Sequence, residues 1–403
     1  MTIFNSLGSN YSFGFALRAI ATDDSDKYRS RLMEYLKERY GGEVFLIYKG
    51  REAIRLALRA VEKKGKGKMS VAICGFTCYA VYEACVGEGM DVEYLDIDRE
   101  TLNFSFETLR KKCEENPEIN VVVVQNTLGM ACEIEKISDF CKRRGIVLIE
   151  DLAHSIGAVY EDGRKAGTVG DFVVLSFSQD KMVDGISGGA VVVRNKEFRI
   201  NNQQFASLPL GQQVRDRFYP LFTWVIRNMY GIGVGKVVHA VLKRFDLLSK
   251  PMGGGEDLIY GLPNWYCELI YLQFLKLKDD LAHREKIALV YKEILRQAQD
   301  DRKESFERVS KSTNLRFPIF VKQRDELIAF LKRQGVFVSD IWYDSPIAPK
   351  RFLKLTDYDG ECSMSEEVSE LILNLPTHRN VSEEDARRIA EYINEWIGKG
   401  RVL

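Results

Sequence analysis

Short apolar runs alternate with amphipathic segments of helical length through residues 44–150. The runs predict strands at 44–47, 71–74, 92–97, 121–125 and 146–150. The segments between them, and one before them, predict helices at 25–40, 51–61, 77–87, 106–115 and 134–144. Because strands and helices alternate, we expect a parallel sheet, and runs such as VVVV and IVLI indicate strands buried on both faces. Ligands are then expected at the carboxyl ends of the strands.

Beyond a sixth strand at 172–177 and a glycine-rich turn, the alternation becomes sparser. The pattern predicts a strand at 315–321, a helix at 325–334, a strand after Gly335 and a terminal helix at 382–397. We therefore predict an α/β fold with a mainly parallel central sheet in a large domain, residues 1–284. A smaller C-terminal α+β domain, residues 285–403, is expected to follow it.

The segment 197–262 forms an atypical insertion with two apolar stripes at helical spacing. The first stripe consists of Phe218, Leu221, Phe222, Val225 and Ile226, with Pro220 near the predicted helix start. The second consists of Val237, Val238, Val241, Leu242 and Phe245, with Lys236, His239, Lys243 and Arg244 on the other side. Arg227 makes the apolar run too short to span a bilayer. Two interpretations stay open, a buried helix pair or subunit interface, and an amphipathic hairpin in peripheral contact with a membrane through 218–245.

Composition argues against several classes of protein but does not identify the function. The chain has 403 residues, with 58 Lys and Arg against 58 Asp and Glu, and this balance argues against a bulk nucleic-acid binder. The eight cysteines form no C-x-x-C pair and no zinc spacing with histidine. We expect free thiols in a reducing cytoplasm and no metal site. The first residues lack the pattern of a secretory signal, so a cytoplasmic location is expected.

Two strand ends carry candidate chemistry. Asp151 follows the apolar run IVLI, and His154 lies three residues further. A carboxylate at this position can hold a proton on a ligand's ring nitrogen, although it can equally cap a helix. Lys181 lies between the strand at 172–177 and a turn containing Gly185, Gly188 and Gly189. A lysine in a desolvated pocket loses its proton more easily and can then attack a carbonyl carbon.

A third strand end is Lys49-Gly50-Arg51-Glu52, at the start of a helix. Glycine at a helix start exposes backbone N–H groups to an anion such as phosphate. Neither a Walker loop nor a convincing G-x-G-x-x-G motif is present. Together the three strand ends suit a ligand with a phosphate, an aldehyde and a basic ring nitrogen, and pyridoxal 5′-phosphate meets all three requirements.

Six stretches of the sequence follow one another in a fixed order: GREAIRLAL, CGFTCYAVYEAC, VEYLDIDRETLNF, IEDLAHSIGA, GDFVVLSFSQDK and GGAVVV. In this set and order the chain resembles the DegT/DnrJ/EryC1/StrS family of sugar aminotransferases, in the fold-type-I pyridoxal-phosphate superfamily. The resemblance resumes at PNWYCELIYLQFLKL and LNLPTHRNVSEED.

The resemblance implies roles for individual residues. Lys181 matches the lysine that carries the cofactor, Asp151 the aspartate on its ring nitrogen, and His154 a position near its phenolic oxygen. These three are the expected catalytic residues. Ser176 matches the phosphate-binding serine, and Gly50, Arg51 and Glu52 match the turn whose N–H groups bind the same phosphate. The family's ring-stacking aromatic aligns with Cys78, and we expect Cys78 or its neighbour Tyr79 to cover the ring.

The resemblance also implies an activity and partners. We expect a pyridoxal-phosphate-dependent aminotransferase that moves an amino group from an amino acid, with glutamate as the expected donor, to a nucleotide-linked keto-sugar. The product would be an amino sugar for a surface polysaccharide or a secondary metabolite, and the enzyme a homodimer. Two alternatives are a dehydratase or lyase on the same fold, whose relatives carry histidine in place of Lys181, and a non-catalytic, membrane-associated member.

Overall fold

The computed structural model describes residues 2–63, 69–200, 205–250, 258–296, 312–339 and 341–398. The strands, numbered in chain order, are β1 (Ile3–Phe4), β2 (Glu43–Ile47), β3 (Ser70–Cys74), β4 (Thr77–Cys78), β5 (Asp91–Leu95), β6 (Ile119–Val124), β7 (Val147–Asp151), β8 (Phe172–Ser176), β9 (Gly189–Val193), β10 (Phe317–Phe320), β11 (Val336–Phe337), β12 (Ile347–Ala348) and β13 (Ile372–Leu375).

The helices are α1 (Phe13–Ala21), α2 (Lys27–Tyr40), α3 (Gly50–Glu62), α4 (Tyr79–Val86), α5 (Phe106–Glu115), α6 (Ile134–Arg144), α7 (Leu210–Asn228), α8 (Val234–Arg244), α9 (Asn264–Leu275), α10 (Leu277–Arg296), α11 (Arg324–Arg333), α12 (Lys350–Leu353), α13 (Ser363–Leu371) and α14 (Glu383–Ile397). The predictions for α5 and α6 match at both ends, and most others differ by one or two residues. The helix predicted at 77–87 begins later, because residues 77 and 78 form β4.

A seven-stranded sheet is the centre of the fold, with the order β2-β9-β8-β7-β6-β3-β5. The five strands from β8 to β5 are parallel, and β9 runs antiparallel to both of its neighbours. Alternate residues of β6 enter separate cores on the two faces, Val122 and Val124 on one, Val121 and Val123 on the other. Burial on both faces explains the continuous apolar runs, and the predicted α/β class with a mainly parallel sheet is confirmed.

The C-terminal part contains a two-stranded antiparallel pair, β10 with β13, and α10 and α11 pack against α14. Helix α14 starts at the predicted place, where Ser382 and Asp385 form a reciprocal capping box. Strand β1 crosses to this part and pairs in parallel with β11. The domain division predicted after residue 284 falls inside α10, and it stays a prediction.

The atypical segment forms α7 and α8, which pack against each other, and α7 also packs on α1. Helix α7 starts at Leu210, so the expectation that Pro220 lies near the helix start is wrong, and Pro220 lies inside the helix. The first apolar stripe is partly buried, with Ile226 fully enclosed, whereas most of the second is exposed. No helix of the described ranges is both long and apolar enough to span a bilayer.

Candidate active site

The carboxyl ends of β7 and β8 open onto a cavity of about 470 Å³. Seven of the residues predicted from the sequence line it: Gly50, Arg51, Cys78, Asp151, His154, Ser176 and Lys181. The parallel arrangement of the strands explains this convergence, because their carboxyl ends meet at one edge of the sheet. Glu52 and Tyr79 are not among the lining residues, and their positions are described below.

Lys181 lies on a tight loop that follows β8. The preceding residue, Asp180, has a φ of 63°, a left-handed conformation that is uncommon outside glycine. The Asp184 carboxylate holds the loop, because it accepts the N–H groups of Asp180 at 2.7 Å and Ile186 at 3.0 Å. Tyr11 donates its hydroxyl to the same carboxylate at 2.5 Å. The loop conformation therefore fixes where the lysine side chain enters the cavity.

Desolvation in the cavity lowers the pKa of Lys181, and the Arg316 guanidinium lowers it further, while the Asp151 carboxylate acts in the opposite direction. The ammonium group lies 4.6 Å from the centroid of the Trp342 ring. A lysine with a lowered pKa is more often unprotonated at neutral pH. Such an amine can act as a nucleophile or a base.

Asp151 ends β7 and is 3% exposed. Its Oδ1 accepts the N–H of Ala153 at 2.9 Å, which fixes the carboxyl group at the cavity wall. Burial raises the pKa of Asp151 to about 6, and the nearby Lys181 opposes that rise. A buried carboxylate of this kind is suited to bind a cationic nitrogen of a ligand.

His154 is held by groups from two other parts of the chain. Its Nδ1 accepts the N–H of Leu128 at 3.3 Å and lies 3.1 Å from the Tyr343 hydroxyl. Because Nδ1 accepts from a backbone N–H, the ring proton is on Nε2. Burial and the neighbouring cations hold the pKa of His154 well below its usual range, so the ring is neutral. The Trp342 ring stacks on it with centroids 5.2 Å apart.

The start of α3 and the end of β8 approach each other unusually closely. A Cβ on Gly50 would lie 2.8 Å from the Ser176 Cβ, so glycine is required there. Lys49 precedes the helix as its N-cap and makes no side-chain capping bond, so the first turn keeps N–H groups for a ligand. These N–H groups and the Ser176 hydroxyl form a place for an anion.

The two predicted residues outside the cavity lining have other contacts. Burial raises the pKa of the Glu52 carboxyl to about 7, and the neighbouring cations Lys49 and Arg51 act in the opposite direction. Glu52 lines a second cavity of about 510 Å³, which shares Lys49 and Arg51 with the first. Tyr79 stacks on Phe352, with ring centroids 4.8 Å apart. Cys78, in contrast, lines the first cavity and is its half-buried thiol.

Sequence reasoning missed Trp342 and Tyr343 as lining residues and Asp184 as the residue that holds the lysine loop. Lys49, part of the third strand end, also lines the cavity. Trp342 and Tyr343 lie far along the chain, and their local sequence contains no pattern that points to the sheet edge. In the described part of the chain, no group of three or more His, Cys, Asp or Glu side chains is placed to hold a metal ion.

Comparison with known sequences places these features in a family. The model of the DegT/DnrJ/EryC1/StrS aminotransferase family matches residues 19–234 and 252–394. A pleiotropic regulatory protein of Geobacillus stearothermophilus is 25% identical over 352 residues, which is 86% of this chain and 83% of that protein. A UDP-4-amino-4,6-dideoxy-N-acetyl-beta-L-altrosamine transaminase of Campylobacter jejuni is 24% identical over 380 residues, 93% of this chain and 90% of that protein.

One further relative has a higher sequence identity over a shorter stretch of the chain. A GDP-perosamine synthase of Vibrio cholerae is 30% identical over 183 residues, which is 44% of this chain and 48% of that protein. Among solved structures, Helicobacter pylori PseC, an aminotransferase involved in the biosynthesis of pseudoaminic acid, superposes with a TM-score of 0.71 and 17% identity, over 99% of this chain and 100% of that one. This likeness supports the fold.

Proposed function

The chain belongs to the DegT/DnrJ/EryC1/StrS aminotransferase family, and on that premise we propose that it transfers an amino group from an amino acid to a nucleotide-linked keto-sugar. Glutamate is the proposed donor. The convergence of Lys181, Asp151 and the Gly50–Ser176 anion site in one cavity carries this proposal. The relative from Campylobacter jejuni, which is named as a transaminase of a UDP-linked amino sugar, supports the choice of acceptor.

The residues fit pyridoxal 5′-phosphate. The Lys181 amine would hold its aldehyde carbon, Asp151 its ring nitrogen, and the His154 Nε2–H its ring hydroxyl. Ser176 and the first turn of α3 would bind its phosphate, where the close approach of Gly50 leaves no room for a side chain. Cys78 and Trp342 are the candidates to cover the ring. When bound, the cofactor accepts the donor's amino group and the electrons released at the donor's α-carbon.

Individual residues of the chain have separate roles in the proposed reaction. We propose that Lys181 would move a proton from the donor's α-carbon to the cofactor carbon that carried the aldehyde, since its lowered pKa makes the free amine available. In the second half of the reaction it would move a proton from that carbon to the keto carbon of the acceptor. Asp151 keeps a ring nitrogen of the cofactor positively charged. Asp184 holds the loop that directs Lys181 into the cavity. A homodimer is also proposed, by analogy with the family.

A half-reaction with glutamate tests the proposal. The purified chain, loaded with pyridoxal phosphate, is mixed with glutamate without an acceptor, and we expect the cofactor's amine form and one equivalent of 2-oxoglutarate. Borohydride treatment before glutamate should leave the reduced cofactor on the peptide that contains Lys181. Lys181→Ala should abolish both results, and Lys322→Ala, which removes an exposed lysine, should abolish neither.

Each contrary result has a definite meaning. Reduced cofactor on Lys49, the other lysine of the cavity, would refute the role of Lys181. If glutamate gives no 2-oxoglutarate, and a nucleotide-linked sugar added separately loses a hydroxyl, the dehydratase alternative would be established. A folded chain that neither binds the cofactor nor reacts would favour a non-catalytic role, the kind of role that the name of the Geobacillus relative indicates for that protein.

A further inference from the structure

The outer side of α8 exposes a continuous apolar row. Val234, Val237, Val241 and Phe245 follow one another at spacings of three or four residues, which places them on one line along the helix. Their exposed fractions are 42% for Val234, 65% for Val237, 46% for Val241 and 65% for Phe245. Ile232, in the turn before the helix, is 75% exposed. We call these five residues the α8 row.

A neighbouring side of α8 is fixed against the rest of the molecule. Gly235 is buried, and a Cβ there would lie 2.2 Å from the carbonyl oxygen of Ile226 in α7. Leu242, two turns further, is 7% exposed. Because this contact sets the rotation of the helix, the α8 row cannot turn inward without separating α8 from α7.

The charged side chains of α8 are all basic. Residues 217–245 contain no Asp or Glu, although the whole chain has 58 of them among 403 residues, and the exposed carboxylate of Asp246 after the helix pairs with Lys250. Arg244 lies on α8 beside the row, Lys236 and Lys243 lie further round the same helix, and all three are exposed. Within the described residues none of the three forms an ion pair, and Lys236 instead lies 5.4 Å from the ring of Tyr230. The exposed surface of α8 is therefore half apolar and half basic.

We propose that the α8 row docks on a membrane surface that carries anionic lipid headgroups. A helix with an apolar row and a basic polar side lies at the boundary between headgroups and acyl chains, because the long basic side chains reach the phosphates while the apolar side chains enter the hydrocarbon. The positive charge of α8 makes the α8 helix of a second copy a poorer occupant. A two-fold contact between α8 helices would bring like charges together with no carboxylate on either helix.

This docking is independent of the proposed function, because none of the five residues lines the 470 Å³ cavity. It assigns the atypical segment a role in locating the protein. An amino-transfer reaction would then take place at a membrane surface, with the chemistry unchanged.

Vesicle sedimentation with the full-length chain tests the proposal. The probe is phosphatidylcholine vesicles with about one third phosphatidylglycerol, compared with pure phosphatidylcholine. We expect at least about tenfold stronger partitioning to the anionic vesicles, weakened by added salt. Val241→Glu should lower that partitioning about tenfold. Leu289→Glu is the matched control, since Leu289 lies on a different helix and is also 46% exposed, and it should leave partitioning unchanged.

Three outcomes would overturn the proposal. Equal sedimentation of Val241→Glu and wild type would show that other residues make the contact. No sedimentation with anionic vesicles at low salt, from a chain that is folded by circular dichroism, would leave an acidic protein as the better partner. Conversion of a wild-type dimer to a monomer by Val241→Glu, measured by light scattering, would show that the row is a contact between subunits. Conversely, the double variant Lys236→Gln and Lys243→Gln should lose about tenfold on anionic vesicles only.

Discussion

Charged side chains are usually exposed and large apolar side chains are usually buried. The cavity at the sheet edge breaks the first rule, and the α8 row breaks the second. In the cavity, charged groups are buried, with Asp151 3% and Lys49 8% exposed. On α8, large apolar side chains are exposed, with Val237 and Phe245 at 65%. Burying a charge costs free energy, and exposing an apolar row promotes association. Both departures therefore mark surfaces that are completed by something outside the chain, a small charged ligand in one case and a larger surface in the other.

Substitutions in the cavity and in the α8 row are expected to have different effects on activity and stability. Changes in the cavity should strongly affect activity, and replacing a buried charge by an apolar group can even stabilise the fold. Changes in the α8 row should leave stability and turnover almost unaltered, because these side chains contact mainly solvent in the isolated chain. The four predictions below test this contrast, beginning with the largest expected effect.

Asp151→Asn should lower turnover about 100-fold or more, because the amide keeps the shape of the side chain and loses the charge that would hold a cationic ring nitrogen. The measurement is kcat for amino transfer together with the thermal midpoint. Asp162→Asn, which changes an exposed carboxylate paired with Arg164, is the control and should alter kcat less than about twofold. Equal kcat values for the two variants would remove Asp151 from the mechanism.

Gly50→Ala should destabilise the fold by about 1–3 kcal/mol, because the new methyl group would lie 2.8 Å from the Ser176 Cβ. It should also weaken cofactor binding by separating α3 from β8. Gly211→Ala is the matched change in α7, where a Cβ meets nothing within 4 Å, and it should stabilise by about 0.5–1 kcal/mol. Urea unfolding measures both effects. Equal stability of the two variants would show that the close approach at Gly50 relaxes freely.

Lys49→Met should stabilise the cofactor-free chain at neutral pH by up to about 3 kcal/mol. Burial lowers the pKa of Lys49 from 10.5 to about 8. Between these two pH values the unfolded chain holds a proton that the folded chain has released, so the free energy of unfolding rises with pH. The variant should lose this rise. A wild-type curve that is flat from pH 8 to 10 would contradict the buried amine.

Val237→Glu should change the free energy of unfolding by less than about 0.5 kcal/mol and leave kcat unaltered. The contrasting variant on the same helix is Leu242→Glu, which places a carboxylate at a position that is 7% exposed and should destabilise by several kcal/mol. Chemical unfolding of both variants separates the two sides of α8. A large loss of stability in Val237→Glu would mean that the row packs within the chain.

Sequence reasoning was most effective where periodicity alone decides structure. The apolar run of β6 and the helical spacing of α5 and α6 predicted those elements, because both signals are local. The convergence of Asp151, Ser176 and Lys181 followed from the rule that parallel strands end at one edge. Strands that form only by pairing with a segment far along the chain were not predicted. The pairing of β4 with β12 joins residues near 77 to residues near 347, and nothing local identifies it.

In the candidate site, too, side-chain positions that depend on distant parts of the chain were not predicted. The backbone role expected for Glu52 stays a prediction. Its side chain lines the second cavity, and nothing in the local sequence identifies that position. Trp342 reaches the cavity only through the packing of the C-terminal part against the sheet. Pro220 was placed wrongly because proline usually marks a helix start, whereas α7 continues through it.

The first residues of the chain have a consequence for how the protein is made. Strand β1 pairs with β11, and Asn5 bonds to a carbonyl 369 residues away. Ser9 and Asn10 bond to Asp180 and to the backbone of Lys181. During translation this segment leaves the ribosome long before its partners, β11 and Asn374. It therefore stays unpaired until nearly the whole chain has been synthesised. The reactive loop is thus secured among the last steps of biosynthesis.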